Sequence, residues 1–332
     1  MKTILVTGGA GYIGSHACKA LAREGFRPIV LDNLSTGHSW AVKWGPLVEG
    51  DIADRELVRE TLEYYKVDAV MHFAANASVG ESMREPFLYL HDNTIGSMRL
   101  LEAMRETGVR RIVFSSTCAT YGIPTDVPIA ESTPQAPVNP YGESKLLVER
   151  ALAWYQSAHG FSWTALRYFN AAGADREKEI GEVHDPETHL IPLVIGAALG
   201  TEPPVRVLGG DYPTDDGTAI RDYIHVEDLA DAHIRALRYL ATGGESTAIN
   251  LGTARGHSVQ EVIAAVEQIS GHRIPRQTTT RRPGDPPVLV ADNRLARKLL
   301  GWKPRYTSLE EIVETAWAWH SSQVRVAAAS AT

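Results

Sequence analysis

Along the first 170 residues, short apolar runs alternate with amphipathic stretches. "TILVTGG", "RPIVLDN", "DAVMHFAA", "RRIVFSST" and "SWTALRYFN" are near-continuous hydrophobic runs. Strands read this way when helices cover both faces of their sheet. Between them, "SHACKALAREG", "NTIGSMRLLEAMRETG" and "YGESKLLVERALAWYQSAHG" read as helices. Strand–helix alternation of this kind predicts an α/β fold with a doubly wound parallel sheet over residues 1–170.

The texture changes after residue 170. "AAGADREKEIGEVHDPETH" is polar and loop-like, and "LIPLVIGAALG" is a short helical piece. Loops rich in Pro, Gly and Asp follow, then the helices "VEDLADAHIRALRYLAT" and "SVQEVIAAVEQISG", with "TAINLGT" as a strand between them. Residues 171–324 therefore read as a smaller, loop-rich α+β lobe, part of which can return to the main sheet. Residues 325–332 read as a frayed tail. No internal repeat is visible.

Composition adds exclusions. With 332 residues, 44% hydrophobic and 22% charged, the chain is an ordinary globular one. A net charge of −7 gives no general attraction to nucleic acid or to an anionic membrane. Anionic ligands would need local arginines. The two cysteines, Cys18 and Cys118, show neither a disulfide framework nor a Cys/His metal spacing. No metal is expected, and a reducing compartment fits. The apolar run in "MKTILVTGGAGYIG" is too short for a signal peptide, and nothing is long enough to span a membrane. A cytoplasmic location is expected.

"TGGAGYIGSH" lies between the first strand and the first helix and holds Gly9-x-Gly11-x-x-Gly14. Glycines there let the backbone approach a pyrophosphate, with the helix N–H groups facing the anion. In this strand–turn–helix setting the motif points to a Rossmann-type sheet. Asp32 ends the second strand 18 residues past Gly14, close to the spacing at which an acid accepts from the adenosine ribose. A carboxylate repels a 2′-phosphate and no arginine follows in "LDNLSTGH", so NAD is expected over NADP. In "EGDIAD", Asp51 and Ile52 suit an adenine edge, though the spacing fits a loop-capping Asp nearly as well.

"NPYGESKLLVER" places Tyr141 and Lys145 one helical turn apart on one face. A free tyrosine has a pKa of about 10, so as a base it needs a neighbouring positive charge, which Lys145 would supply. Upstream, "FSSTCATYG" ends a predicted strand with Thr117, whose hydroxyl could share a proton with the phenol and a substrate hydroxyl. As a bare motif Tyr-x-x-x-Lys is common on surfaces. Beside the glycine turn and the strand-end Ser/Ser/Thr run, it reads as chemistry.

"TGGAGYIGSH", "LDNL", "GDIAD", "HFAA", "FSST", "PYGESK" and "LRYFNAAGA" together resemble the extended short-chain dehydrogenase/reductase superfamily. Within it, "GGDYPTDDGTAIRDYIHVEDLADAH" and "RRPGDPP" resemble the UDP-glucose 4-epimerases, and the likeness runs from about residue 3 to residue 320. The resemblance implies tightly bound NAD, UDP-galactose and UDP-glucose as substrates, and a transient 4-keto sugar that turns over between hydride removal and return. A sugar that must rotate is held loosely, so the charged groups should gather on the nucleotide.

Residue by residue, the resemblance implies Tyr141 as base, with Lys145 and Thr117 beside it. Gly8, Gly11, Tyr12, Ile13, Gly14, Asp32, Asn33, Asp51 and Ile52 would hold NAD. Phe73, Ala74, Ala75, Asn93 and Tyr168 would line it further in, together with Tyr141 and Lys145. On the substrate side Arg221 and Arg282 would clamp the diphosphate and Asp285 would accept from the uridine ribose. Asn170 would hold a phosphate or the sugar edge. His189, Leu190, Val207, Leu208, Tyr223 and Val259 would line the uracil and diphosphate. The resemblance also implies a homodimer in which "NTIGSMRLLEAM" and "LLVERALAWYQSA" pair into a four-helix bundle.

Three positions depart from that pattern. Ala77 stands where many relatives carry lysine, which puts one cofactor contact in doubt. Thr117 stands where serine is common. Leu289 falls where relatives differ in size beside the hexose, and is expected to leave room for an N-acetyl group. Among competing readings, a 4,6-dehydratase needs an Asp-Glu pair after the threonine, where this chain has Cys118 and Ala119. A pentose or uronic-acid 4-epimerase and a simple dehydrogenase stay open. A regulator that only senses NAD would have no reason to keep Tyr141, Lys145 and Thr117 together.

Overall fold

The computed structural model describes residues 2–282 and 284–330. Seven strands form the main sheet: β1 (Thr3–Thr7), β2 (Arg27–Asp32), β3 (Leu47–Glu49), β4 (Ala69–His72), β5 (Arg111–Thr117), β6 (Ser162–Tyr168) and β7 (Thr247–Leu251). Their order is β7-β6-β5-β4-β1-β2-β3, and every neighbouring pair is parallel. The order in which the chain adds strands to the sheet reverses between β1 and β4, which opens a crevice at the carboxyl ends of those strands.

The longer helices are α1 (Tyr12–Arg23), α2 (Arg55–Tyr64), α3 (Gly96–Thr107), α4 (Pro140–His159), α5 (Leu190–Leu199), α6 (Val226–Ala241), α7 (Val259–Ser270) and α8 (Leu309–Ser330). Helices α1 and α6 cover one face, where Ile4, Val6, Val30 and Met71 meet Leu21 and Leu237. Helices α2, α3 and α4 cover the other, where Leu5, Ile29, Val70 and Ile112 meet Leu62, Leu101 and Leu152. Successive β1 residues thus enter opposite cores, which is why the strand reads as one unbroken apolar run.

The lobe has its own core of Ile191, Val194, Val207, Val262, Val266 and Val313, carried by α5, α7, α8 and the strand Val205–Leu208. Short ribbons tie it together: Tyr223–His225 beside Asn170–Ala172, and Ile220–Arg221 between His257–Ser258 and Val288–Leu289. Strand β7 follows α6 and pairs with β6, so the second half of the chain does return to the main sheet. The stretch expected to fray from residue 325 is instead helical to Ser330 within α8, continuing through an alanine-rich run that favours helix. Ala331 and Thr332 lie outside the described residues.

Two local features bear on the site. Asn139 caps α4, its Oδ1 accepting from the Gly142 N–H at 2.8 Å, with Pro140 at the first helical position. Before α3 the chain makes a π-helical segment, Leu90–Ile95, where the sequence suggests only the start of a regular helix.

Candidate active site

The turn after β1 runs through Gly8, Gly9, Ala10 and Gly11 into α1. Gly8 has φ +70°, and a Cβ there would lie 2.5 Å from the Ala74 backbone nitrogen. At Gly14 a Cβ would lie 2.1 Å from the Gly8 carbonyl oxygen, so α1 can approach β1 this closely only with glycine. Gly11 caps α1, whose first turn has no acidic residue. The unpaired N–H groups of that turn therefore face open space with a positive potential. At the end of β2 the buried Asp32 carboxylate accepts from the Ala10 and Leu34 N–H groups, each at 2.9 Å.

A cavity of about 950 Å³ opens at the carboxyl ends of the central strands. The sheet half lines it with Gly8, Gly11, Tyr12, Ile13, Gly14, Asp32, Asn33, Asp51, Ile52, Phe73, Ala74, Ala75, Thr117, Tyr141, Lys145 and Tyr168. The lobe adds Asn170, His189, Leu190, Leu208, Arg221, Tyr223, Val259, Arg282, Asp285 and Leu289. Asn93 and Val207, expected at this surface, do not reach it. Asn93 is buried: its Oδ1 accepts from Asn76 N, and its Nδ2 donates to Asn76 O and to Ser144 Oγ. It clamps the 74–78 wall onto α4 from behind. Val207 points into the lobe core while its neighbour Leu208 faces the cavity, as strand alternation requires.

Burial dominates the tyrosine–lysine pair. It pushes the Tyr141 phenol up to about 12, opposed by the neighbouring Thr117 side chain, which pulls it down. Lys145 is only 3% exposed, and burial takes its ammonium down to about 7. Its Nζ donates to the Ser115 carbonyl at 2.9 Å and lies 5.0 Å over the Phe114 ring. Thr117 thus favours the phenolate, as a charged Lys145 one helical turn along would. Thr117 Oγ1 also accepts from the Ala119 N–H at 3.1 Å, which fixes its side chain at the end of β5. Tyr168 shares a short hydrogen bond with the Ser115 hydroxyl, so Ser115 anchors one neighbour through its side chain and Lys145 through its backbone.

On the lobe wall, Arg221 donates to Asp285 Oδ1 at 2.5 Å and to the carbonyl of Ile220. Arg282 is exposed at the rim. Asp222, next to Arg221, is fully buried and accepts from Thr253 N, Thr253 Oγ1, Ala254 N and Ala291 N. Desolvation pushes it up to about 6. It fastens the 252–254 and 290–291 loops under the arginine.

The loop before α5, read from sequence as merely polar, gathers Glu182, His184, Glu187 and His189 so that their donor atoms lie within 4.8 Å of one another. This loop is sewn to the loop after β2. His38 Nε2 lies 3.2 Å from the Val183 carbonyl oxygen. Trp40 stacks between His38 and Trp319 of α8, with centroids 5.4 and 5.8 Å away, and Trp319 Nε1 donates to the Glu182 carbonyl at 3.3 Å. Gly181 lies so close to the Trp319 ring that a Cβ would approach to 2.4 Å.

The family model described as "NAD dependent epimerase/dehydratase family" matches residues 4–252. The chain belongs to that family. Among its relatives it is similar to a UDP-glucose 4-epimerase of Rhizobium leguminosarum bv. trifolii, 53% identical over 320 residues, covering 96% of this chain and 98% of the relative. It is also similar to the crystal structure of UDP-glucose 4-epimerase from Brucella ovis in complex with NAD. That match has a TM-score of 0.94 at 50% identity, over 96% of this chain and 98% of that one. The UDP-glucose-4-epimerase from Stenotrophomonas maltophila with bound NAD and formylated UDP-arabinopyranose gives a TM-score of 0.94 at 41% identity, over 98% and 100%.

As a member of the NAD dependent epimerase/dehydratase family, the chain has residues that fit the cofactor. A side chain at Gly8 or Gly14 would fill the cradle, the first turn of α1 suits a pyrophosphate, and the Asp32 carboxylate suits a ribose with free hydroxyls. At the lysine departure, Ala77 is exposed on the cavity rim, with Asn76 donating to Asp92 at 2.9 Å and Arg84 on the same rim. Sequence reasoning missed Glu182 and His184 as lining residues. The available signal was the paired Glu/His spacing in "GEVHDPETH".

Proposed function

We propose that this chain is an NAD-dependent UDP-glucose 4-epimerase, interconverting UDP-galactose and UDP-glucose. The observation that supports it most is a single cavity shared by the glycine turn, the Tyr141–Thr117 hydroxyl pair and the Arg221–Asp285 wall. Bound NAD would supply the acceptor and donor of the hydride at sugar carbon 4.

The chain's own residues handle the proton and the nucleotide. Tyr141 takes the proton of the sugar 4-hydroxyl and returns it, and Thr117 hydrogen-bonds the phenol while the charge changes. Lys145, buried beneath them, holds its ammonium against the Ser115 carbonyl. Arg221 and Arg282 clamp the diphosphate, with Asp285 orienting Arg221 and accepting from the ribose. Gripping the nucleotide and leaving the hexose few charged contacts lets the 4-keto sugar present either face.

The test uses purified protein, UDP-galactose and no added cofactor, with UDP-glucose formation followed. The Tyr141→Phe variant should fold with an unchanged thermal midpoint and lose about 10²- to 10⁴-fold in kcat. Undiminished interconversion in that variant overturns the reading. Leu289, 9% exposed on the cavity wall, favours a second substrate as well. A leucine there leaves space for an acetamido group, so UDP-N-acetylgalactosamine should turn over, and no activity on it refutes that part.

A homodimer belongs to the same proposal. What supports it is exposed apolar surface around the two helices in question: Phe87 at 76%, Ile95 at 47% and Trp154 at 75%. A monomer by light scattering refutes it. A cytoplasmic location is supported by the two free, buried cysteines. Among the described residues no helix is long and apolar enough to cross a membrane.

A further inference from the structure

Behind the tyrosine wall lies a polar network that lines none of the cavity. Ser116, Tyr121, Glu149, Arg167 and Asn250 are each no more than 5% exposed. Glu149 Oε1 accepts from Ser116 Oγ at 2.5 Å and from Arg167 Nε at 2.9 Å. Its Oε2 accepts from Arg167 Nη2 at 2.5 Å and from Gln135 Nε2 at 3.2 Å. Arg167 Nη1 donates to the Tyr121 hydroxyl at 2.8 Å, and that hydroxyl donates to Asn250 Oδ1 at 2.7 Å. Asn250 Nδ2 ends the chain on the Ile129 carbonyl at 2.8 Å.

Stability alone gives little reason for such a pair. Taking a carboxylate and a guanidinium out of water is costly, and well-packed apolar side chains of similar volume often hold a fold as firmly or better. A forked, hydrogen-bonded contact supplies direction, because it is satisfied in one geometry only. Its placement shows what is directed. Ser116 precedes Thr117 on β5, and Arg167 precedes Tyr168 on β6. Glu149 lies on α4, one turn beyond Lys145 and about two beyond Tyr141. Tyr121 ends the turn Cys118–Tyr121 that leaves Thr117. That turn meets α4 at backbone range, since a Cβ at Gly142 would lie 2.5 Å from the Ala119 carbonyl oxygen.

We propose that Glu149 and Arg167 are positioning residues: their ion pair, extended through Ser116 and Tyr121, seats α4 on β5 and β6 and so sets the approach of Tyr141 to Thr117 and to the sugar hydroxyl. This rests on the reading of Tyr141 as the base. The pair touches neither nucleotide nor sugar, so its effect belongs to the chemical step rather than to binding.

The whole enzyme tests this through kcat and KM for UDP-galactose, calorimetric UDP affinity and urea unfolding. Glu149→Leu/Arg167→Met leaves no charge unpaired, so its urea midpoint should stay at or above that of the wild type. Its kcat should nevertheless fall about tenfold to a hundredfold, the scale of a misplaced reacting group, with KM, UDP affinity and bound NAD unchanged. Arg167→Lys keeps the charge and loses the fork, and should show the same split with kcat down about tenfold. The inference falls if the double variant keeps wild-type kcat, or if UDP affinity drops as far as kcat does. Should the double variant not fold, Arg167→Lys decides on the same split. A wild type that binds UDP without converting UDP-galactose would instead strike the function proposed above.

Discussion

His184 and His189 show burial and charge pulling in opposite directions at single side chains. Desolvation lowers each imidazole's affinity for protons, yet the two glutamates outweigh it and lift His184 to about 9 and His189 to about 10. A raised folded value means the stabilisation is complete below the unfolded value of about 6.5 and is lost as pH climbs through 9 to 10. The wild type should therefore lose more in thermal midpoint between pH 6.5 and pH 10 than a His184→Gln/His189→Gln variant does; equal losses contradict this assignment. The residue scale also sets a limit on what can be read from a chain. Asp32, Gly14 and Tyr141 carry local signals, since each acts through its own turn or helix. The roles of Lys145 and Tyr141 turn on desolvation, which depends on what the fold stacks around them, and Asn93 was misplaced because its wall-clamping partners Asn76 and Ser144 lie far along the chain.

At the scale of elements, α4 carries the chemistry in its first turn, so its cap holds more than helix stability. Asn139→Ala removes the Oδ1 acceptor of the Gly142 N–H and should cost about 1 kcal/mol in urea unfolding. It should also lower kcat, because Tyr141 sits in the turn that loosens; an unaltered kcat would show that packing alone seats the phenol. Strands β1, β2, β4, β5 and β6 were plain in the sequence because burial on both faces leaves an unbroken apolar signature. The short lobe ribbons were not, since strands of two to four residues such as Ile220–Arg221 are defined by their partners rather than by periodicity. Likewise the π-helical segment at Leu90–Ile95 has no pattern distinguishing it from the helix it precedes.

Over the whole molecule, the sheet half and the lobe contribute facing walls to one cavity, and their joining is not left to the ligands. Tyr12 donates from the glycine turn to the Gly173 carbonyl at 2.6 Å. Lys19 of α1 meets Asp175, Glu177 and Glu179 across the same boundary. Among the described residues α8 contributes nothing to the lining, yet through Trp319 it touches Trp40 of the loop after β2 and the backbone of Glu182. That indole is a mechanical rivet between the two ligand-holding loops. A chain ending at Ala318 should shed its dinucleotide during gel filtration, read by absorbance of the denatured supernatant, whereas full occupancy after trimming would show the rivet to be idle. With two stacked indoles straddling the joint, the intact enzyme also carries its own fluorescent gauge: loading and unloading should alter emission without any added dye.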